Sequence, residues 1–118
     1  MDEISPQLQN QIAQFQQLQQ QLQTVSAQKM QMDAQARELK RTLDELGKSD
    51  DDAPVYKSVG SLLIKTSDRP ALKAEMEESM ETMDIRVKAL DRQEKSLREK
   101  LQSLQESLNR AMGAPRSG

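Results

Sequence analysis

The chain has no cysteine, no histidine and no tryptophan, and its only aromatic residues are Phe15 and Tyr56. Without cysteine there is neither a disulfide framework nor thiol chemistry. It also lacks a glycine-rich phosphate loop and enough apolar residues to enclose a pocket, so it reads as no enzyme. A metal site would have only carboxylates to draw on. Asp50-Asp51-Asp52 lacks the spacing of a calcium loop, and no cofactor is expected. Apolar residues make up 35% of the chain, against about 45–50% in ordinary domains, which makes it a poor candidate for a globular core. No apolar run approaches the ~20 residues of a membrane span, so a membrane is not an expected partner. Charge has no dominant sign, with 17 basic and 19 acidic residues and a net charge of −2. Without a basic stripe, nucleic acid is not an expected partner either. Met1-Asp2-Glu3-Ile4 has neither the basic start nor the apolar core of a signal peptide, and a cytoplasmic location is the expectation.

What the chain does have is period. Phe15, Leu18, Leu22, Val25, Lys29, Met32, Ala36, Leu39, Leu43 and Leu46 step by alternating threes and fours. So do Met76, Met80, Met83, Val87, Leu90, Glu94, Leu97, Leu101, Leu104 and Leu108. This is the a/d repeat of a coiled coil. Disorder requires low hydrophobicity with high net charge and no period, so two long helices are expected. Gln16-Gln17 and Gln19-Gln20-Gln21 fill the wet faces of the first. Ser5-Pro6 suits its start, and Gly47 can close it with a left-handed residue. That helix spans about residues 5–46, or ~60 Å at ~1.5 Å per residue. The second runs over about 69–112, capped by Ser67 or Asp68 with Pro70 in its first turn. Gly113 and Pro115 end it, and Ala114 to Gly118 reads as frayed. Asp84–Lys88, Asp91–Lys95 and Glu94–Arg98 are spaced as i,i+4 pairs on a solvated face.

Similar helices with a short connection pack antiparallel. Pairing Phe15 with Leu104, Leu22 with Leu97, Ala36 with Met83 and Leu43 with Met76 gives one common register, centred on Val59-Gly60. A register one heptad away satisfies the same pattern. Each seam carries one charge at an a position, Lys29 and Glu94. These lie one layer apart on opposite helices and must pair or reach water, which suits a register device.

Between the helices, residues 55–66 read as a β-hairpin. Gly60-Ser61 suits a two-residue type II′ turn, setting Val59 opposite Leu62 and Lys57 opposite Ile64. One face then carries Val55, Val59, Leu62 and Ile64, the other Tyr56, Ser58, Leu63 and Lys65. A lone two-stranded hairpin is marginal in water and leaves both edges open. It either folds back on its own helices or joins other hairpins in a sheet or barrel, and assembly is the expected outcome. The oligomer interface is then Val55, Tyr56, Val59, Leu62, Leu63 and Ile64. The fold class is mainly α: a long antiparallel two-helix coiled coil, joined by a short β-hairpin that assembles into an oligomeric β-barrel, in a single domain over 1–118.

At the far end the heptad breaks, with Gln11 in the next core slot and Ile12 one residue off. Ile4, Leu8, Ile12, Phe15, Leu104, Leu108 and Met112 gather there. Two readings stand: ordinary fraying, or an adaptable apolar tip for non-native chains.

Gln14-Phe15-Gln16-Gln17-Leu18-Gln19-Gln20-Gln21, Val55-Tyr56-Lys57-Ser58-Val59-Gly60, Leu62-Leu63-Ile64-Lys65 and Asp91-Arg92-Gln93-Glu94 resemble the prefoldin β subunit family of the archaeal type, over about residues 5–112. The aromatic–Lys–x–x–Gly hairpin makes the resemblance specific. It implies an ATP-independent co-chaperone, a hexamer of two α and four β subunits whose hairpins build a double β-barrel body with six coiled-coil arms. The tips hold unfolded polypeptide and pass it to a group II chaperonin. Carried over, 55–66 builds the body with an α-like partner and other β copies. Ile4, Leu8, Ile12, Phe15, Leu104, Leu108 and Met112 line the client-binding tips. The chain departs from the family pattern at Pro54 and in its compact Ser67-Asp68-Arg69-Pro70 approach to the second helix. The alternative to a holdase is a passive coiled-coil scaffold or adaptor for one folded partner.

Overall fold

A computed structural model describes residues 5–113. Four elements follow in order: α1 (Pro6–Lys48), β1 (Tyr56–Val59), β2 (Leu62–Lys65) and α2 (Arg69–Ala111). The helices are 43 residues each. Ile4 and Ala114 to Gly118 lie outside the described residues.

The termini of the helices follow local chemistry. The Ser5 hydroxyl accepts from Leu8 N–H at 3.1 Å and caps α1. Asp68 does the same for α2, its Oδ1 accepting from Ala71 N–H at 3.0 Å. Gly113 has φ +68° and closes α2 as a left-handed residue. Gly47 does not play that role for α1. It is helical, its φ is not positive, and the helix runs on to Lys48. The terminal carbonyls are met by side chains instead: Ser49 Oγ donates to Leu46 O at 2.8 Å. Arg69 donates to Leu46 O (2.6 Å), Ser49 O (3.1 Å) and Asp50 O (2.5 Å), and to Ser49 Oγ. With Leu46 O and the carbonyls just beyond the helix bonded from outside, α1 ends without a left-handed residue.

The chain divides into two compact units. One contains α1 up to Met30 and α2 from Lys88 onward. Its shielded side chains on α1 are Leu8, Gln11, Ile12, Phe15, Leu18, Leu22, Val25, Ser26 and Lys29. Val25, Leu97 and Leu108 are its buried apolar residues, and Glu94 is buried with them. Gln11 and Ile12 are both half-buried, so the break in the heptad is absorbed by sharing the seam between two neighbouring positions.

The other unit is Gln31–Val87 and holds the hairpin. Met32, Ala36, Leu39, Leu43 and Leu46 on α1, with Leu72, Met76, Met80, Met83 and Val87 on α2, are half-buried. Ala36 and Leu43 line one groove with Glu77, Met80 and Asp84, as an antiparallel pairing at the expected register requires. None of the described side chains in this unit is fully shielded.

Candidate functional site

The hairpin is the first candidate surface. β1 and β2 pair antiparallel, with Val59 opposite Leu62, Ser58 opposite Leu63, Lys57 opposite Ile64 and Tyr56 opposite Lys65. Thr66 N–H donates to Val55 O at 2.9 Å and extends the pairing by one rung. Gly60 has φ +60° and Ser61 does not adopt positive φ. A positive φ at the first central residue alone is the signature of a type II′ turn. A two-residue turn fixes the register, and strand alternation then divides the side chains between two faces.

Both faces are apolar and both are wet. Leu63 is 73% exposed, Leu62 63%, Tyr56 55%, Ile64 49% and Val59 47%. Val55, at the base, is half-buried. Val59, Leu62 and Ile64 share one face and Tyr56 and Leu63 the other, so each face of one short ribbon exposes large apolar side chains, the mark of an interaction surface. Two contacts hold the ribbon's surroundings. Lys57 Nζ pairs with Glu75 Oε1 of α2 at 3.3 Å, with both side chains largely in solvent. The Arg69 guanidinium ties the end of α1 to the first residue of α2 through four acceptors. The sequence pattern gave no sign of Arg69, because its partners lie about twenty residues back along the chain and are mostly main-chain carbonyls.

The helix ends are the second surface. Leu8, Ile12, Phe15 and Leu104 are half-buried, Leu108 is 8% exposed, and Met112 is 62% exposed. Ile4 lies outside the described residues. The structure thus brings the seam residues of this end into mutual shelter and leaves Met112 open. Two other apolar side chains, Met30 and Ile85, stand well exposed on the helices. They fall off the heptad, so the seam pattern did not select them.

A polar layer lies along the seam above those ends. Ser26 Oγ–H donates to Glu94 Oε2 at 2.6 Å, and Lys29 Nζ donates to Asp91 Oδ1 at 2.8 Å and Glu94 Oε1 at 3.0 Å. Arg98 and Lys95 reach Glu94 and Asp91 at 3.4 and 3.3 Å. The Lys29–Glu94 pairing is the one expected from the seam. Ser26 and Asp91 join it from flanking positions that an a/d reading ignores. The Ser26 hydroxyl and then the Lys29 ammonium hold the Glu94 carboxyl below its ordinary range. Lys29 and then Lys95 do the same for Asp91. The bonds to Asp91 and Glu94 raise Lys29 in turn. The buried carboxylate accepts from a hydroxyl and an ammonium of α1, and these bonds favour the observed register. Among the described residues no cluster of histidine, cysteine or carboxylates is arranged to hold a metal ion. No described helix is long and apolar enough to cross a membrane.

Comparison with known proteins agrees with this geometry. Residues 9–114 match the family described as prefoldin subunit. The prefoldin subunit beta of Archaeoglobus fulgidus is 46% identical over 118 residues, covering all of both chains. That of Thermococcus kodakarensis is 43% identical, again over the whole of both chains. The crystal structure of the prefoldin beta subunit from Thermococcus strain KS-1 superposes with a TM-score of 0.83 at 43% identity, covering 98% of this chain and 100% of that one. The hairpin, the paired helices and a sequence shared from end to end point the same way: this chain belongs to the prefoldin family of chaperones, among its β subunits.

Proposed function

We propose that this chain is a β subunit of a cytoplasmic α2β4 hexamer that binds non-native polypeptide at its helix ends without ATP and delivers it to a group II chaperonin. The observation that carries the reading is the hairpin, with five apolar side chains about half or more exposed on its two faces. Prefoldin β subunits assemble with other prefoldin subunits; strand pairing with them covers the open edges, and closing the sheet on itself shelters an apolar face. Val55, Tyr56, Val59, Leu62, Leu63 and Ile64 form that interface. The helix ends remain for clients. Leu8, Ile12, Phe15, Leu104 and Leu108 shelter one another, so a client must displace part of that packing. Met112 completes the described part of the tip, with methionine adapting its shape to varied apolar groups. No step of this activity calls on a catalytic residue or cofactor.

The test removes residues 1–12 and 105–118 from the chain and assembles it with its α-type partner. The complex should form at the same mass. Suppression of aggregation of several unrelated denatured proteins, at near-stoichiometric ratio and without ATP, should fall steeply. Undiminished suppression would move the client site off the helix ends. A full-length complex that suppresses none of them but binds one folded protein would identify a scaffold instead.

A further inference from the structure

From Ile4 to Gln28 the chain contains no aspartate, glutamate, lysine or arginine, although 31% of all its residues are charged. Eleven residues between Gln7 and Gln28 are glutamine. Among the described residues no glutamine side chain bonds another group of the chain: every side-chain hydrogen bond of this stretch involves Ser5, Thr24 or Ser26. Gln17, Gln20, Gln21, Thr24 and Gln28, with Gln93 of α2, line a groove of about 610 Å³. Val25 and Leu97 form its floor, and both are buried apolar side chains.

The lining has one chemical character. A glutamine amide carries two N–H donors and a carbonyl acceptor, the same pair of functions as a peptide group, and like it bears no charge. An extended main chain with unsatisfied N–H and C=O groups can bond such amides in any register. Fixed charges would instead select a client by the sign of its side chains. Resting on the holdase reading above, we infer that this charge-free groove of α1 is a lateral site for the extended main chain of non-native polypeptide, engaged alongside the tip and indifferent to client charge.

The test uses the full-length chain assembled with its α-type partner and two denatured clients, one acidic and one basic. Wild type should capture both, with little change between low and high salt. In one variant Gln17, Gln20, Gln21 and Gln28 become glutamate; in a second the same four become lysine. The glutamate variant should favour the basic client and the lysine variant the acidic one. Each preference should shift the capture ratio by about fivefold at low salt and fade at high salt. Opposite preferences cannot come from a shared folding defect, and circular dichroism checks that helicity is kept. Glutamate at Gln31 and Gln35, exposed in the other unit, should leave the ratio unchanged. If wild type captures both clients but neither variant shifts the ratio, or the Gln31/Gln35 control shifts it equally, the lateral site is overturned while the tip function stands. If wild type captures neither, the holdase reading itself falls. If instead the variants lose only self-association of the wild-type complex, the groove belongs to a second copy and the inference is wrong.

Discussion

Aspartate placed on the hairpin should dissolve the assembly and leave the helices intact. Leu63 and Ile64 sit on opposite faces of the ribbon. Burying a leucine fully is worth about 1.5–3 kcal/mol. Leu63 still exposes 73% of its surface, so assembly can gain about 1–2 kcal/mol from it in each β copy. Leu63→Asp forfeits that gain and adds the removal of an unpaired carboxylate from water, which together exceed about 4 kcal/mol. That is roughly a thousandfold in the dissociation constant for each interface. Ile64→Asp, starting from 49% exposure, should do slightly less. Ile85→Asp is the control: Ile85 is 62% exposed but lies about 24 Å along α2 from its first residue. The assay is native mass by light scattering with the α-type partner present, beside helicity at 222 nm. Both hairpin variants should shift to low mass with helicity retained, and the control should not. Full-sized complexes from both hairpin variants would refute the claim that the ribbon needs other chains to cover it.

Four further perturbations follow from the cap, turn and seam chemistry. Gly47 is helical, and a Cβ there meets nothing within 4 Å, so Gly47→Ala should stabilise by about 0.5–1 kcal/mol. Gly60 has equally open space but φ +60°, and Gly60→Ala should destabilise by about 1–2 kcal/mol; thermal melts that move both variants the same way would contradict the backbone assignment. Arg69→Ala removes the donor to four acceptors at and just beyond the end of α1, two of which, Leu46 O and Asp50 O, keep another donor; it should cost about 1–3 kcal/mol, with Arg69→Lys restoring only part because a point ammonium cannot span them. The depressed Glu94 and Asp91 carboxyls stabilise the fold fully above the ordinary carboxylate range, and that contribution is lost as pH falls through their lowered folded values. The raised Lys29 contributes fully below the ordinary lysine range and is lost as pH climbs past its folded value. The melting temperature should therefore hold near neutrality and drop in acid, with a shallower acid limb in Glu94→Gln; identical acid limbs would remove Glu94 from the account.

Most of the fold was legible because two periods dominate the chain. The three-four spacing of Leu18, Leu22, Val25 and Leu97, Leu101, Leu104 selects the side chains that are shielded. A two-residue turn at Gly60-Ser61 leaves one register for the strands, and that register is observed. Features written in other codes were not legible. Gly47 looks like a helix stop, since glycine is the commonest left-handed cap, yet whether a helix needs one depends on what else reaches its carbonyls. Here Arg69 does, and no local pattern points to it. Ser26 was passed over for a related reason, and Asp91 and Glu94, read with Lys95 and Arg98 as pairs on a solvated face, are instead half-buried and buried against Lys29. A heptad is read by apolar residues at two positions, whereas a buried carboxylate draws its partners from whatever polar groups flank it.

The placement of burial suggests how one short chain separates holding from assembling. Among the described residues the buried ones, Val25, Glu94, Leu97 and Leu108, all fall in the unit that contains the helix ends. The unit that contains the hairpin has none. Apolar surface left uncovered in an isolated chain is a driving force for association, and here it is concentrated on the ribbon, where strand edges give that association direction. The end proposed to hold clients has the opposite design: a seam whose apolar residues are buried or half-buried, and a polar layer at Lys29 and Glu94. Were the apolar exposure reversed, with the ribbon covered and Leu104 and Leu108 open, copies would meet through the helix ends proposed to hold clients. On that proposal it is the distribution of shelter along the chain, more than any single residue, that keeps holding and assembling from competing.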